Sequence, residues 1–227
     1  MDISIYDTLL GLPLFQGLSK LEFGEVLEKV CFDFSGAQDG ETFITSGSLC
    51  SHFVFILNGK ALSRRSTADG RLTFIEELEA PSLLEPYSMF GMQPVFSKDY
   101  VASGNVGILR IDKQYLYSEL YKYSICRMNL LNILSGRIQN LESDLWNMRQ
   151  TTIRERIVNM VSSLSDSANG QKEVKVRMED FAAILGETRL NVSKTLNSLE
   201  NEGLIVLKRG GFVVPSLERL TTKLDYE

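Results

Sequence analysis

The chain has one histidine in 227 residues, three cysteines, one tryptophan and no long uninterrupted apolar run. Each shortage excludes a class of function. His52 opens the run HFVFIL with no carboxylate or second histidine beside it in sequence, so a structural histidine is expected rather than a metal ligand or a general base. Cys31, Cys50 and Cys126 are far apart and show no CxxC spacing, which argues against a disulfide framework, a zinc site or an iron-sulfur centre; small core residues are expected instead. No apolar stretch approaches the roughly 20 residues that span a bilayer. The N-terminus lacks a basic region followed by an apolar stretch, so no signal peptide and no membrane partner are expected, and the location is expected to be cytoplasmic. Neither GxxxxGK nor GxSxG occurs, and no paired acid and base stand out. The sequence therefore predicts a protein that is not an enzyme, with no catalytic residue, no metal and no cofactor.

What is present is a chain of 44% hydrophobic content, long enough for two modest cores or one large one. Its formal charge of −5 is unevenly spread. Residues 1–146 carry 12 Lys/Arg against 18 Asp/Glu, whereas residues 147–227 carry 12 against 11. A local basic face, not the net charge, decides whether a surface can meet phosphates. Arg177, Arg189, Lys194, Lys208 and Arg209 can supply one.

Those residues fall in and beside the stretch RMEDFAAILGETRLNVSKTLNSLENEGLI, residues 177–205. Phe181, Ala182, Ile184 and Leu185 recur at helical spacing, Gly186 stops that helix, and Thr188 can cap a second one that Gly203 ends. Val192, Leu196 and Leu199 form the apolar stripe of the second helix. Arg189, Leu190, Ser193, Lys194 and Asn197 are left on the opposite face, a mixture of donors and one apolar side chain that can read base edges. Two β-rich runs, 204–207 and 212–214, flank Lys208-Arg209-Gly210-Gly211, a signal for a two-residue hairpin. Helix, turn, helix and basic-tipped wing together predict a winged helix-turn-helix.

Upstream the chain changes period twice. Residues 5–31 read as a helical lead-in with Leu14, Leu18, Leu21, Phe23 and Val26 apolar and Ser19 as a cap three positions before Glu22. Between Phe32 and Ile111, short β-rich segments alternate with turn signals at Asp39-Gly40, Ser46-Gly47, Asn58-Gly59 and Asp69-Gly70, which predicts an antiparallel sandwich or barrel. From Lys113 the helical period returns. Leu131, Leu134, Ile138, Leu141, Leu145 and Met148 follow at intervals of 3, 4, 3, 4 and 3, the spacing of a heptad seam. One long core helix is the plainer account; a parallel two-stranded coiled coil across a homodimer axis is favoured, with Leu131, Leu134, Ile138, Leu141 and Leu145 at the interface. The seam stops near Asn147 to Thr152, the expected hinge. A helix over 153–164 follows, burying Ile157, Met160, Val161 and Leu164, and SDSANGQ, residues 165–171, reads as a surface loop.

This order of parts resembles the cyclic-AMP receptor protein / fumarate-nitrate regulator superfamily of bacterial transcription regulators over nearly the whole chain. DGETFITSGSLCSHFVFILNGKA looks like the family's opening strands, with Gly40, Gly47 and Gly59 in matching places, and LGETRLNVSKTLNSLENEGLI looks like its DNA-reading helix. The resemblance implies an α+β fold: an N-terminal antiparallel β-roll of cyclic-nucleotide-binding type over 1–112, a long dimerisation helix and hinge over 113–148, and a C-terminal winged helix-turn-helix over 149–227. It places base contacts on Arg189 and Lys194, with Leu190 between them. Thr188, Asn191, Ser193, Lys208 and Arg209 are expected on phosphates, and an inverted-repeat duplex and RNA polymerase as partners. Two departures stand out. Leu190 replaces the family's common Glu, exchanging an acceptor for cytosine for an apolar contact suited to a thymine methyl. In the segment LLEPYSMFGMQPVFSKDYVAS, Glu85 can match the family's ribose-binding Glu, but Leu84 replaces a glycine, Pro86 lacks a backbone donor, and no arginine occurs from Leu72 to Val101. With Glu85, Tyr87 and Lys98 as the candidate effector pocket, the expected small-molecule effector is unknown and is not cyclic AMP. The competing expectation is a sensory or protein-interaction module whose helix-turn-helix no longer binds DNA, for which Leu190 is the best support.

Overall fold

The computed structural model describes residues 5–147 and 152–222. They form two compact units, residues 5–61 with 79–138, and residues 62–78 with 139–147 and 152–222.

In the first unit the expected lead-in is two short helices, α1 (Ile5–Leu10) and α2 (Lys20–Lys29). Leu14 and Leu18 are buried in the connection between them, and Phe23 and Val26 are buried on α2, whereas Leu21 is 85% exposed and off that face. The Ser19 cap is present: its hydroxyl accepts from the Glu22 amide at 3.2 Å, and the Glu22 carboxylate accepts the Ser19 amide at 2.9 Å. The β-roll then forms from β1 (Asp33–Ala37), β2 (Thr42–Ile44), β3 (His52–Ser66), β5 (Ser82–Leu84) and β6 (Asp99–Asp112). β1 and β2 pair antiparallel with β6, and β5 pairs antiparallel with β3. Asn58-Gly59 is not a turn; it lies inside β3. Gly59 holds φ +80 there, and a Cβ would stand 2.3 Å from the Asn105 carbonyl oxygen, so glycine is demanded by close approach of two strands. Phe15, Phe23, Phe53, Phe55 and Tyr100 fill the core. Cys50 and Cys126 are core residues, their thiols pushed up to about 11 by burial; Cys31 is exposed, contrary to expectation. His52 has a carboxylate near it after all, Asp112 at 3.7 Å, brought by strand pairing that local sequence does not show. Two helices follow, α3 (Gln114–Ser118) and α4 (Ser124–Asn147), the latter crossing from the first unit into the second after Ile138.

The second unit contains α5 (Ile153–Leu164), β7 (Lys172–Val176), α6 (Met178–Leu185), α7 (Arg189–Asn201), β8 (Val206–Lys208), β9 (Gly211–Val214) and α8 (Leu217–Thr222). It also contains a hairpin made by the end of β3 and by β4 (Leu72–Glu79), turning at Asp69-Gly70. β4 pairs antiparallel with β7, β7 with β9 and β9 with β8, so the hairpin extends the wing sheet by main-chain bonds. Phe74, Val174, Phe181, Leu196, Leu199 and Phe212 share one core with Ile157 and Val161 of α5. A capping box between Thr152 and Glu155 starts α5. The segment 165–171 is a loop as expected, but it is tied inward: the amides of Asp166 and Ser167 donate to the Glu76 carboxylate at 2.9–3.1 Å. Lys172 Nζ lies 3.2 Å from the same carboxylate, and both side chains are fully buried. Burial holds the Lys172 ammonium below the usual lysine range, and Glu76 opposes that shift.

A buried pair of this kind is costly to break on one side. Glu76→Ala is expected to lower the free energy of unfolding by about 3–5 kcal/mol, because it strands a buried ammonium. The combined change of Glu76 and Lys172 to apolar residues of similar volume is expected to cost far less. Urea unfolding measures both; a single-variant loss no larger than that of an exposed pair, about 1 kcal/mol or less, would overturn the assignment.

Candidate nucleic-acid interface

α6 ends where Gly186 adopts φ +65 and ψ +34, the left-handed cap that a residue with a Cβ rarely takes, and the Glu187 amide returns to the Ala182 carbonyl at 2.9 Å. Thr188 caps the next helix by accepting from the Asn191 amide at 3.3 Å. Val192, Leu196 and Leu199 of α7 are buried as expected. Arg189, Leu190, Asn191, Lys194 and Asn197 are exposed on the other side, Leu190 by 63%, and Ser193 is half-buried. Ser193 and Asn197 meet one turn apart, the Asn197 amide donating to the Ser193 carbonyl at 2.7 Å. Arg189 stands 3.5 Å from Glu179, with both side chains largely exposed. Such a pair is weak in water and yields easily to a phosphate or a base.

Both ends of α7 are pinned by residues that sequence reading did not single out. Arg154 of α5 makes two 2.7 Å bonds to the Glu202 carboxylate at its C-terminal end. Arg156 donates to the Leu185 carbonyl at 2.6 Å and to the Glu187 carboxylate in the turn. The hydrogen bond from Arg156, followed by that from Asn191, holds the Glu187 carboxyl below its ordinary range. These pairs join positions about 30 and 48 apart in sequence, so no local pattern announces them.

The wing differs in detail from expectation. Lys208 pairs with Gly211, so the two-residue turn is Arg209-Gly210, with Gly210 at φ +83. Gly211 belongs to β9, and a Cβ on it would stand 2.0 Å from the Val174 carbonyl oxygen. Lys208 and Arg209 are exposed at the tip. Arg177, at the N-cap of α6, is exposed and makes no side-chain cap hydrogen bond.

The candidate effector residues lie in the first unit and do not form an open carboxylate site. Glu85 has φ +40 and is 1% exposed. One carboxylate oxygen accepts from the Ser88 hydroxyl at 2.7 Å and the Ser97 amide at 2.9 Å; the other accepts from the Tyr100 hydroxyl at 3.1 Å. Lys98 is 2% exposed, and Tyr87 is half-buried. An arginine does reach this segment, from beyond residues 72–101: the Arg137 guanidinium of α4 lies 5.6 Å from the centre of the Tyr87 ring. On α4, Leu131 and Ile138 are 56% and 65% exposed, while Leu134 and Leu141 are half-buried. Met128, three positions before Leu131, is 52% exposed and continues the apolar row. The side chain of Leu145, together with Met148 and the hinge residues 148–151, lies outside the described residues.

Residues 155–222 match the Crp-like helix-turn-helix domain family. A CRP-like cAMP-activated global transcriptional regulator of Mycobacterium tuberculosis is 22% identical over 195 residues, covering 81% of this chain and 84% of that protein. The cyclic AMP receptor protein of Thermus thermophilus is 25% identical over 207 residues, covering 88% and 91%. The solved structure of the Thermus thermophilus catabolite activator protein has the same fold, with a TM-score of 0.52 at 22% identity over 93% of this chain and 99% of that one. Among the described residues no helix is long and apolar enough to cross a membrane. Residues 155–222 are thus a Crp-like helix-turn-helix domain, and together with the antiparallel roll and these relatives they support placing the chain in the CRP/FNR superfamily of transcription regulators.

Proposed function

We propose that this protein is a cytoplasmic, non-enzymatic homodimer that reads an inverted-repeat operator with α7 and answers to a signal other than cyclic AMP. In this reading residues 1–112 sense, 113–148 dimerise and 149–227 bind DNA. The observation that carries it is the free outer face of α7: Arg189, Leu190 and Lys194 are exposed on a helix whose buried face and both ends are held. Arg189 and Lys194 contact base edges, Leu190 packs on a thymine methyl, and Thr188, Asn191, Ser193, Lys208 and Arg209 set the register on phosphates. RNA polymerase is a natural further partner for such a regulator. Arg189→Ala is expected to cost about 1–3 kcal/mol of binding per half-site and to relax preference at one base pair of each half-site, whereas Lys208→Ala weakens all sequences alike and lowers the salt slope by about 1 per protomer. Selection of sites from random DNA tests this; a set of selected sites without a palindrome, or one unchanged by Arg189→Ala, overturns it.

Exposed Leu131 and Ile138, one heptad apart, with exposed Met128 beside them, support dimerisation, since apolar side chains at heptad spacing find a dry partner in a second copy. Ile138→Arg places a charge on each side of the two-fold seam, and light scattering is expected to report a monomer. A dimer that survives this change would mean that the seam serves another purpose.

Two of the relatives are named for cyclic AMP, but the self-satisfied Glu85 supports a different effector here. Its carboxylate oxygens already accept three hydrogen bonds from Ser88, Ser97 and Tyr100. A cyclic phosphate brought into the roll needs a cation fork to replace its water, and Arg137 is engaged over Tyr87. Calorimetric titration is expected to show no cyclic-AMP binding at tens of micromolar, the range set by losing about 2–5 kcal/mol from a buried charge pair. Saturable low-micromolar binding that vanishes on Glu85→Ala would overturn the reading.

A further inference from the structure

We propose that the tip of the β3–β4 hairpin is part of the DNA interface, where Arg71 joins Lys175 and Arg177 in gripping a backbone phosphate beside the wing. The inference rests on the DNA-binding reading and extends it to a residue outside the matched domain. Its basis is strand register. Leu72 pairs with Val176, Thr73 with Lys175 and Phe74 with Val174. Side chains alternate along a strand, so Phe74, Val174 and Val176 enter the core while Thr73 and Lys175 share the opposite face. Continuing the same antiparallel register by one step sets Arg71 across from Arg177. Three cations thus gather on one face of a two-strand ladder.

They line a cleft of about 550 Å³ together with Asp69, Gly70, Thr73, Val176, Asp180 and Gly210. Gly210 lies in the wing turn, and its carbonyl accepts the Val176 amide at 2.9 Å, so the cleft reaches the turn that also carries Arg209. The two acids in the cleft both lean on Arg71, Asp69 at 3.3 Å and Asp180 at 3.7 Å. Arg71 and Lys175 nevertheless remain 67% and 54% exposed, and Arg177 is exposed. Like charges facing each other across a ladder repel, and a phosphodiester placed among them relieves that repulsion while meeting the planar donors of two guanidinium groups. The hairpin does not have to move to do this. Its backbone is bonded to β7 along five residue pairs and its base is anchored by the buried Glu76–Lys172 pair, so Arg71 is held in place before DNA arrives.

The test uses the full chain and a labelled duplex of arbitrary sequence, because phosphate contacts carry no sequence information. Affinity is followed by fluorescence anisotropy between about 50 and 200 mM salt for the parent, Arg71→Ala, Arg71→Lys, Asp180→Asn and Lys208→Ala. Loss of one phosphate contact makes the plot of log affinity against log salt shallower by about 0.9, and a substitution in a homodimer removes one from each protomer, about 1.8 in all. Arg71→Ala is expected to show that change, Arg71→Lys to keep the parent slope, and Asp180→Asn to tighten binding to every duplex by freeing the guanidinium. Lys175→Ala, on the other strand, repeats the measurement if Arg71→Ala unfolds at a lower temperature than the parent. A slope unchanged in both Arg71→Ala and Lys175→Ala, with Lys208→Ala lowering it, overturns the inference and leaves the wing reading intact. If Lys208→Ala also leaves the slope unchanged, the DNA-binding reading of this face falls with it.

Discussion

Glu76 and Lys172 are fully buried 3.2 Å apart, and the second unit is arranged around keeping them satisfied. A carboxylate inside a core needs more than one counter-charge, because its remaining lone pairs also lose water. The Asp166 and Ser167 amides provide the rest. That requirement draws the 165–171 loop against β4 and sets where β7 begins, at Lys172 itself. β7 then templates β9 on its other edge, and β9 carries the wing. A residue far outside the matched helix-turn-helix domain therefore fixes the sheet on which that domain's wing stands.

The same unit shows how a helix with an exposed outer face is kept rigid. α7 leaves that face to solvent, so its order must come from elsewhere. Three buried apolar side chains hold its inner face, and two arginines of α5 hold its ends. Arg154 binds Glu202 through two parallel bonds, a geometry that fixes direction as well as distance. Flexible lysines could neutralise those charges but would not define the angle of the helix.

Local chemistry explains which parts could be read from sequence. The Ser19 and Thr188 caps, the helix stop at Gly186 and the buried stripe of α7 each depend on residues within one or two turns, and all are where the spacing puts them; the Thr152 capping box of α5 is equally local but was not read from the sequence. Errors arose where one local signal has two structural solutions. Asn58-Gly59 and Asp69-Gly70 look alike in sequence; one lies inside a strand pressed against Asn105 and the other makes a turn. Gly210-Gly211 likewise divides into a turn residue and a strand residue, because the second glycine is needed where Val174 approaches. Non-local contacts carried no signal at all. The β4–β7 ladder, the Asp112 beside His52, the Arg137 over Tyr87 and the arginine anchors of α7 join segments that nothing nearby links. Glu85 is the instructive case at the candidate pocket: its place in the sequence resembles a ligand-binding carboxylate, yet the hydroxyls and amide that occupy it come from positions 3, 12 and 15 further on.

Charge completes the physical picture of a DNA-binding protein that is acidic overall, at −5. At physiological ionic strength fields decay over about 8 Å, so carboxylates elsewhere on the surface barely oppose a phosphate that has reached the wing. What they do oppose is approach in the wrong orientation, since a duplex is repelled by every acidic face and attracted only where cations are concentrated. Dividing the sequence at residue 146 hides part of that concentration, because Arg64, Arg65 and Arg71 precede the division but belong to the C-terminal unit. The hairpin brings three acids as well, yet Glu76 is neutralised by Lys172 in the core and Asp69 leans on Arg71. The three arginines and three acids of the hairpin balance, and burying Glu76 with Lys172 removes one charge of each sign, so folding leaves the sum unchanged and alters placement instead: it aligns Arg71 with Lys175 and Arg177 on one face.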